Sequence, residues 1–149
     1  MEINKEIIEN IVREILTEGL KNNSEIKKNI EPLSGILSVD MNTVKPEKFD
    51  TGKEGDQVYL KDILTLEESP RLGAGLMEMK ETTFDWTLEY DEVDYIIEGT
   101  LEININGKKV KASAGNVIFI PKGSSIQFCV PDYAKFLYVT YPADWASQK

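Results

Sequence analysis

Histidine is absent from all 149 residues. Imidazole supplies most transition-metal ligands and most proton transfer near neutral pH. Its absence excludes a His-based zinc, iron or copper site and any Ser-His or Cys-His nucleophile. The sequence therefore predicts no bound transition metal. Cysteine is nearly absent too: the one thiol, Cys129, excludes an internal disulfide framework and reads as an inert buried group in a strand. No apolar run approaches the ~20 residues of a membrane span, so no membrane partner is expected. Positive charge is scarce, with 17 Lys+Arg against 26 Asp+Glu and a net charge of −9. Little cationic surface remains to displace counterions from a phosphate backbone, and nucleic acid is not an expected partner. The opening Met-Glu-Ile-Asn-Lys-Glu lacks a basic segment and an apolar core segment, so no secretory signal is read and a cytoplasmic location is expected. The length suits one domain with a modest extension, large enough to bury a core without staples.

What is present divides the chain in three. Ile3, Ile7, Ile8, Ile11, Val12, Ile15, Leu16 and Leu20 recur at helical spacing and predict an amphipathic helix over 1–20. Asn4 is its expected N-cap and Gly19 its expected stop. Glu6, Glu9, Arg13 and Glu14 occupy the other face. Residues 21–38 are polar and poorly periodic and read as a linker. From residue 39 to 149 the pattern changes to strands. Gln57 to Leu60, Ala74 to Lys80 and Thr100 to Asn106 alternate apolar and polar residues. Asn106-Gly107 signals a type I′ hairpin leading into Lys108 to Ala112. Further short strands are expected at 116–120, 126–130 and 136–141. Short strands with Gly/Pro punctuation indicate an all-β sandwich or barrel.

Two stretches resemble the paired motifs of the cupin superfamily. In the first, Glu92 and Gly99 stand at the expected separation; in the second, Gly115, Pro121 and Gly123 do. The family's metal-binding histidines would fall at Trp86, Leu88 and Ile126, and a motif asparagine at Val130. Of four expected ligands only Glu92 survives. Three longer runs narrow the resemblance: Trp86-Thr-Leu-Glu-Tyr-Asp-Glu-Val-Asp-Tyr, Phe119-Ile-Pro-Lys-Gly-Ser-Ser-Ile and Phe136-Leu-Tyr-Val-Thr-Tyr-Pro-Ala-Asp-Trp. Over residues 40–149 the chain looks like the ethanolamine-utilisation cupins of the EutQ family. That resemblance implies an all-β cupin jelly roll or barrel, association with bacterial microcompartments, and an acetate kinase activity using ATP and Mg²⁺. It also implies a homodimer, since cupins commonly join sheet edges.

The residues themselves support a narrower chemistry. A strand through Trp86, Leu88 and Tyr90 would turn all three to one face, toward the lumen of a cupin. Glu92, Asp94, Ile96 and Glu98 continue that parity if no bulge intervenes. Glu92 and Asp94 would then share a partly apolar cavity, where like charges raise a carboxyl pKa. Such a pair suits acid–base catalysis or Mg²⁺ binding through oxygen. The alternative for Asp91, Glu92 and Asp94 is an acidic turn at a strand edge. Trp86, Tyr90, Tyr95, Tyr138 and Tyr141 are candidate substrate contacts at the mouth, or half-buried packing. Lys122 lies in a loop that offers an anion contact or simply turns after Pro121. No phosphate-binding Gly-x4-Gly-Lys loop is present, so the residues alone suggest no kinase.

Three readings stand side by side. One is an encapsulated acetate kinase with catalytic Glu92 and Asp94. A second is a non-catalytic microcompartment component that docks shell or cargo proteins through Ile3, Ile7, Ile11, Val12, Ile15 and Leu16. A third is a cupin that binds a small molecule without turnover.

Overall fold

Asn4 begins the helix as its sequence predicts. In a computed structural model, which describes residues 4–13 and 26–148, residues 5–13 are helical. The Asn4 Oδ1 accepts the Glu6 N–H at 3.0 Å, and the Asn4 carbonyl accepts those of Ile7 and Ile8. Ile7, Ile8, Ile11 and Val12 are about half exposed, 47–53%. Ile3, Ile15, Leu16, Gly19 and Leu20 lie outside the described residues. The chain separates into two compact units, Met1–Lys45 and Pro46–Lys149.

Part of the stretch read as a linker forms a hairpin. Strands β1 (Lys27–Ile30) and β2 (Leu37–Asp40) pair antiparallel, with Ile30 opposite Leu37. The Glu31 carboxylate closes their turn by accepting the Leu33 and Ser34 N–H groups, at 3.2 and 2.7 Å. This hairpin rests on turn chemistry and has no residue in the buried class. It therefore leaves no hydrophobic alternation for the sequence to show.

The second unit is a sheet of seven strands: β3 (Glu47–Lys48), β4 (Val58–Asp62), β5 (Gly73–Thr87), β6 (Asp91–Ile105), β7 (Lys108–Ser113), β8 (Val117–Ile120) and β9 (Ser125–Tyr141). All pairings are antiparallel, in the order β3-β4-β5-β9-β6-β7, with β8 also on β6. The sheet remains open rather than closing into a barrel. The β6–β7 turn has Asn106 and Gly107 at positive φ, as the type I′ signal requires. The strands expected at 126–130 and 136–141 are two halves of the single strand β9.

Irregularities near the middle of the long strands let both halves face one core. On β5 the inward residues are Gly75, Met77 and Met79, then Thr82 and Phe84. The parity changes at Glu81, which has φ +46 where the register with β9 shifts. On β6 the inward set is Glu92, Asp94 and Ile96, then Leu101 and Ile103. Gly99 sits in that break at φ +73, backed by the Tyr133 carbonyl, so a side chain there meets both strain and backbone. Glu98 consequently faces solvent, and the uninterrupted parity expected for it does not hold. Phe84, Phe128 and Phe136 stack through the interior, with centroids 5.3 and 6.4 Å apart along the series. Phe136, Leu101, Ile96 and Val58 are fully buried around them.

Candidate active site

Beyond the Phe84–Phe128–Phe136 stack the core turns polar. Glu92 and Asp94 point inward two residues apart on β6, with Thr140 and Tyr138 of β9 as their cross-strand neighbours. Glu92 is 5% exposed and Asp94 fully buried. The Glu92 Oε2, both Asp94 carboxyl oxygens and the Thr140 Oγ1 are buried without a hydrogen-bond partner. A buried polar atom left in that state normally costs about 1–3 kcal/mol.

Protonation is the response the site favours. Burial pushes the Glu92 carboxyl up to about 7. Burial, and then repulsion from Glu92, holds Asp94 well above the usual carboxylate range. Tyr90 is raised chiefly by burial and then by Glu92, and Tyr138 by burial and then by Asp62, so both phenols remain donors.

A network of side chains fixes the surrounding rings. The Trp86 Nε1 donates to the Tyr90 hydroxyl at 2.7 Å. The Tyr138 hydroxyl donates to Asp62 Oδ1 at 2.6 Å, and the Trp145 Nε1 reaches the same oxygen at 3.1 Å. Gly75 lies opposite Tyr138 across β5 and β9, and a Cβ there would collide with the Tyr138 ring. The missing side chain is what lets the ring lie over the strand and reach Asp62. Glu92, Tyr90, Tyr138, Trp86, Trp145 and Phe49 are among the walls of a small cavity of about 20 Å³. That is room for about one water.

The structure thus brings Trp86, Tyr90, Glu92 and Tyr138 to one cavity, with Asp94 beside Glu92. It does not bring Tyr95 or Lys122 there. Tyr95 has odd parity on β6 and is 45% exposed on the outer face. Lys122 lies in the turn after β8, where its N–H donates to Asp91 Oδ1 at 2.8 Å. Tyr141 also faces outward. Sequence reasoning missed Asp62, Gly75, Thr140 and Trp145. Thr140 shares the parity of Tyr138 and was accessible by that rule; Asp62 and Gly75 carry no signal without the β4–β5–β9 register.

Magnesium does not fit the carboxyl pair. It requires six oxygen ligands in a near-octahedral shell and usually retains several waters, which a cavity of this size does not admit. Among the described residues, no group of three or more His, Cys, Asp or Glu side chains is placed to hold a metal ion. Two neutral carboxyls and the Tyr90 phenol, which accepts from Trp86 and keeps its own proton to give, instead make a hydrogen-bond-donating site for a small anion.

The family model described as "Ethanolamine utilisation protein EutQ" matches residues 3–147. A protein named "Acetate kinase EutQ" from Clostridioides difficile is 60% identical over 98% of this chain and 96% of its own length. The Escherichia coli protein of that name is 42% identical over 80% of the chain, which spans about half of that longer relative, 51%. The solved structure of the Clostridium difficile EutQ protein superposes with a TM-score of 0.81 at 64% identity, covering 84% of this chain and 93% of that one. At 14% identity and a TM-score of 0.58, over 78% of this chain and 85% of that one, the Schizosaccharomyces pombe Cnp3 cupin domain shares the fold alone. The motif spacing around Glu92 and Gly115, the open antiparallel sheet and these matches agree: the chain is a cupin-fold member of the ethanolamine-utilisation EutQ family.

Proposed function

We propose that the chain transfers a phosphoryl group between ATP and acetate, with acetate held at the Glu92 cavity. The observation that carries this reading is the near full-length 60% identity to the Clostridioides difficile protein named acetate kinase EutQ. In the forward direction an acetate oxygen attacks the γ-phosphorus. The bond from that phosphorus to the β,γ-bridging oxygen breaks, and acetyl phosphate and ADP leave. Magnesium arrives with the nucleotide as part of the substrate.

The cavity contributes binding and orientation. Protonated Glu92 and the Tyr90 phenol donate to the acetate carboxylate, and charge-assisted bonds of that kind are the strong ones, while Tyr138, whose proton goes to Asp62, forms part of the wall. Asp94, held protonated by its burial, stands beside Glu92 as a second neutral carboxyl. Acetate has four heavy atoms and needs more space than one water, so its arrival requires a wall to move. Trp86 is that wall, because it is only partly buried and its ring is held by packing and one hydrogen bond.

Purified protein from a host lacking acetate kinase is expected to form acetyl phosphate from acetate and MgATP. The KM for acetate should rise as pH passes about 7, where Glu92 ionises. Glu92→Gln keeps a neutral donor and should flatten that rise. No acetyl phosphate from the parent protein would overturn the reading.

The exposed stripe of Ile7, Ile8, Ile11 and Val12 favours a second role alongside the first, docking to shell or cargo proteins of a microcompartment. A fusion of residues 1–20 to a fluorescent protein should concentrate at shells, and a diffuse signal would refute this role. The outer face of β8 and β6 fits a homodimer. Val93, Tyr95, Val117 and Phe119 stand 37–59% exposed there beside the sheet edge, and apolar patches of this kind mark interfaces.

A further inference from the structure

Phosphoryl transfer from ATP needs a place for a polyphosphate, and the Glu92 cavity has none. A second hollow lies where the ends of β5, β6 and β9 meet the β6–β7 turn, with a volume of about 500 Å³. That lies within the roughly 300–1,000 Å³ of typical ligand pockets. Its walls include Asn104, Gln127, Ser125, Lys108 and Lys109, and also Trp86. Trp86 therefore lines both hollows.

The chemistry of these walls suits an anion. Lys108 makes no ion pair among the described residues. Lys109 and Lys111 share the single carboxylate of Glu102, at 3.0 and 3.5 Å. The walls themselves carry two ammonium groups, Lys108 and Lys109, against one carboxylate, Asp85, on a chain of −9. The amides are already positioned: Gln127 Nε2 donates to Asp85 Oδ1 at 2.8 Å, and Asn104 Nδ2 to Gln127 Oε1 at 3.3 Å. Each amide NH₂ has a second hydrogen left for a ligand.

We infer that this outer pocket takes the phosphates of a nucleoside triphosphate, with Lys108 and Lys109 as the cationic contacts and Trp86 as the wall shared with the acetate cavity. The inference rests on the phosphoryl-transfer reading and adds the place of the donor. It puts acetate and the phosphoryl donor in two hollows that share one indole ring, the ring whose movement admits acetate.

The test is titration calorimetry of the full chain with ATP and with MgATP, for the parent, Lys108→Ala, Ser125→Trp and Lys80→Ala. Lys80 is exposed outside the pocket, and its removal changes the net charge as Lys108→Ala does. Loss of Lys108 is expected to weaken nucleotide binding about tenfold, as for a hydrogen bond to a charged group. Ser125→Trp should abolish binding by filling the pocket, and Lys80→Ala should leave it unchanged. Equal melting temperatures exclude a folding defect. Equal weakening by Lys108→Ala and Lys80→Ala would mean a general charge effect and overturn the pocket. Acetyl phosphate formation with an unchanged KM for ATP in both pocket variants would overturn the pocket and leave the kinase reading intact. Nucleotide binding lost in the pocket variants, without acetyl phosphate from the parent, would uphold the pocket and overturn the kinase reading. No nucleotide binding by the parent would overturn both.

Discussion

Ionising Glu92 inside the folded protein costs stability, and the cost has a defined pH window. Its carboxyl titrates near 4.5 when exposed and near 7 in the fold, chiefly because burial penalises the charge. Between those values the native state holds a proton that the unfolded chain has released. Stability therefore falls as pH rises from about 4.5 to about 7. A difference of about 2.5 units at about 1.4 kcal/mol each gives on the order of 3 kcal/mol. The Glu92→Gln variant carries no ionisable group at this position and keeps nearly the same shape. Relative to the parent it should gain about 3 kcal/mol between pH 5 and pH 8. For a chain of this length that equals roughly 6–12 °C in melting temperature. The measurement is urea unfolding of both proteins at pH 5, 6, 7 and 8, followed by far-UV circular dichroism. Taking the difference cancels the surface carboxylates common to both. Removing Glu92 also relieves repulsion on Asp94, which acts in the same direction. Parallel stability curves for parent and variant across this range would refute the buried, proton-holding pair.

Other outcomes follow from the same fold. Gly75→Ala should displace the Tyr138 ring and break its bond to Asp62, costing about 1–3 kcal/mol in chemical unfolding, with acetate binding lost more than in Tyr138→Phe. Phe136→Ala empties the centre of the aromatic stack and should cost about 3–5 kcal/mol by the same assay. Light scattering is expected to give twice the chain mass for the parent and a single chain mass for Phe119→Lys, whose charge lies on the outer face of β8; a parent mass of one chain would refute the dimer.

The three long strands show how far sequence reading reached. Alternation placed Glu92 beside Asp94, because a strand turns every second side chain to the same face; Leu88 and Tyr90 are buried too, but in the turn between β5 and β6 rather than in the strand expected to run through them. Parity failed at Glu98, since the break near Gly99 depends on how β6 meets β9 rather than on β6 alone. Tyr95 was assigned to a mouth from residue type, whereas strand parity turns it to the outer face, and Lys122 lies in the turn after Pro121 that was one of its two readings. The hairpin at residues 27–40 escaped notice because turn hydrogen bonds, not buried side chains, hold it.

By itself, the sequence determined the histidine-free chemistry, the all-β class, the Asn106-Gly107 turn and the two carboxyls that face inward. These follow from composition, local backbone preference and the period of a strand. Only the tertiary structure decided that those carboxyls lose their solvent and hold their protons, because desolvation comes from residues distant in the chain. Register alone brought Asp62 to Tyr138 and left Gly75 bare beneath its ring. Trp86 likewise came to line two hollows through the meeting of strands far apart in sequence.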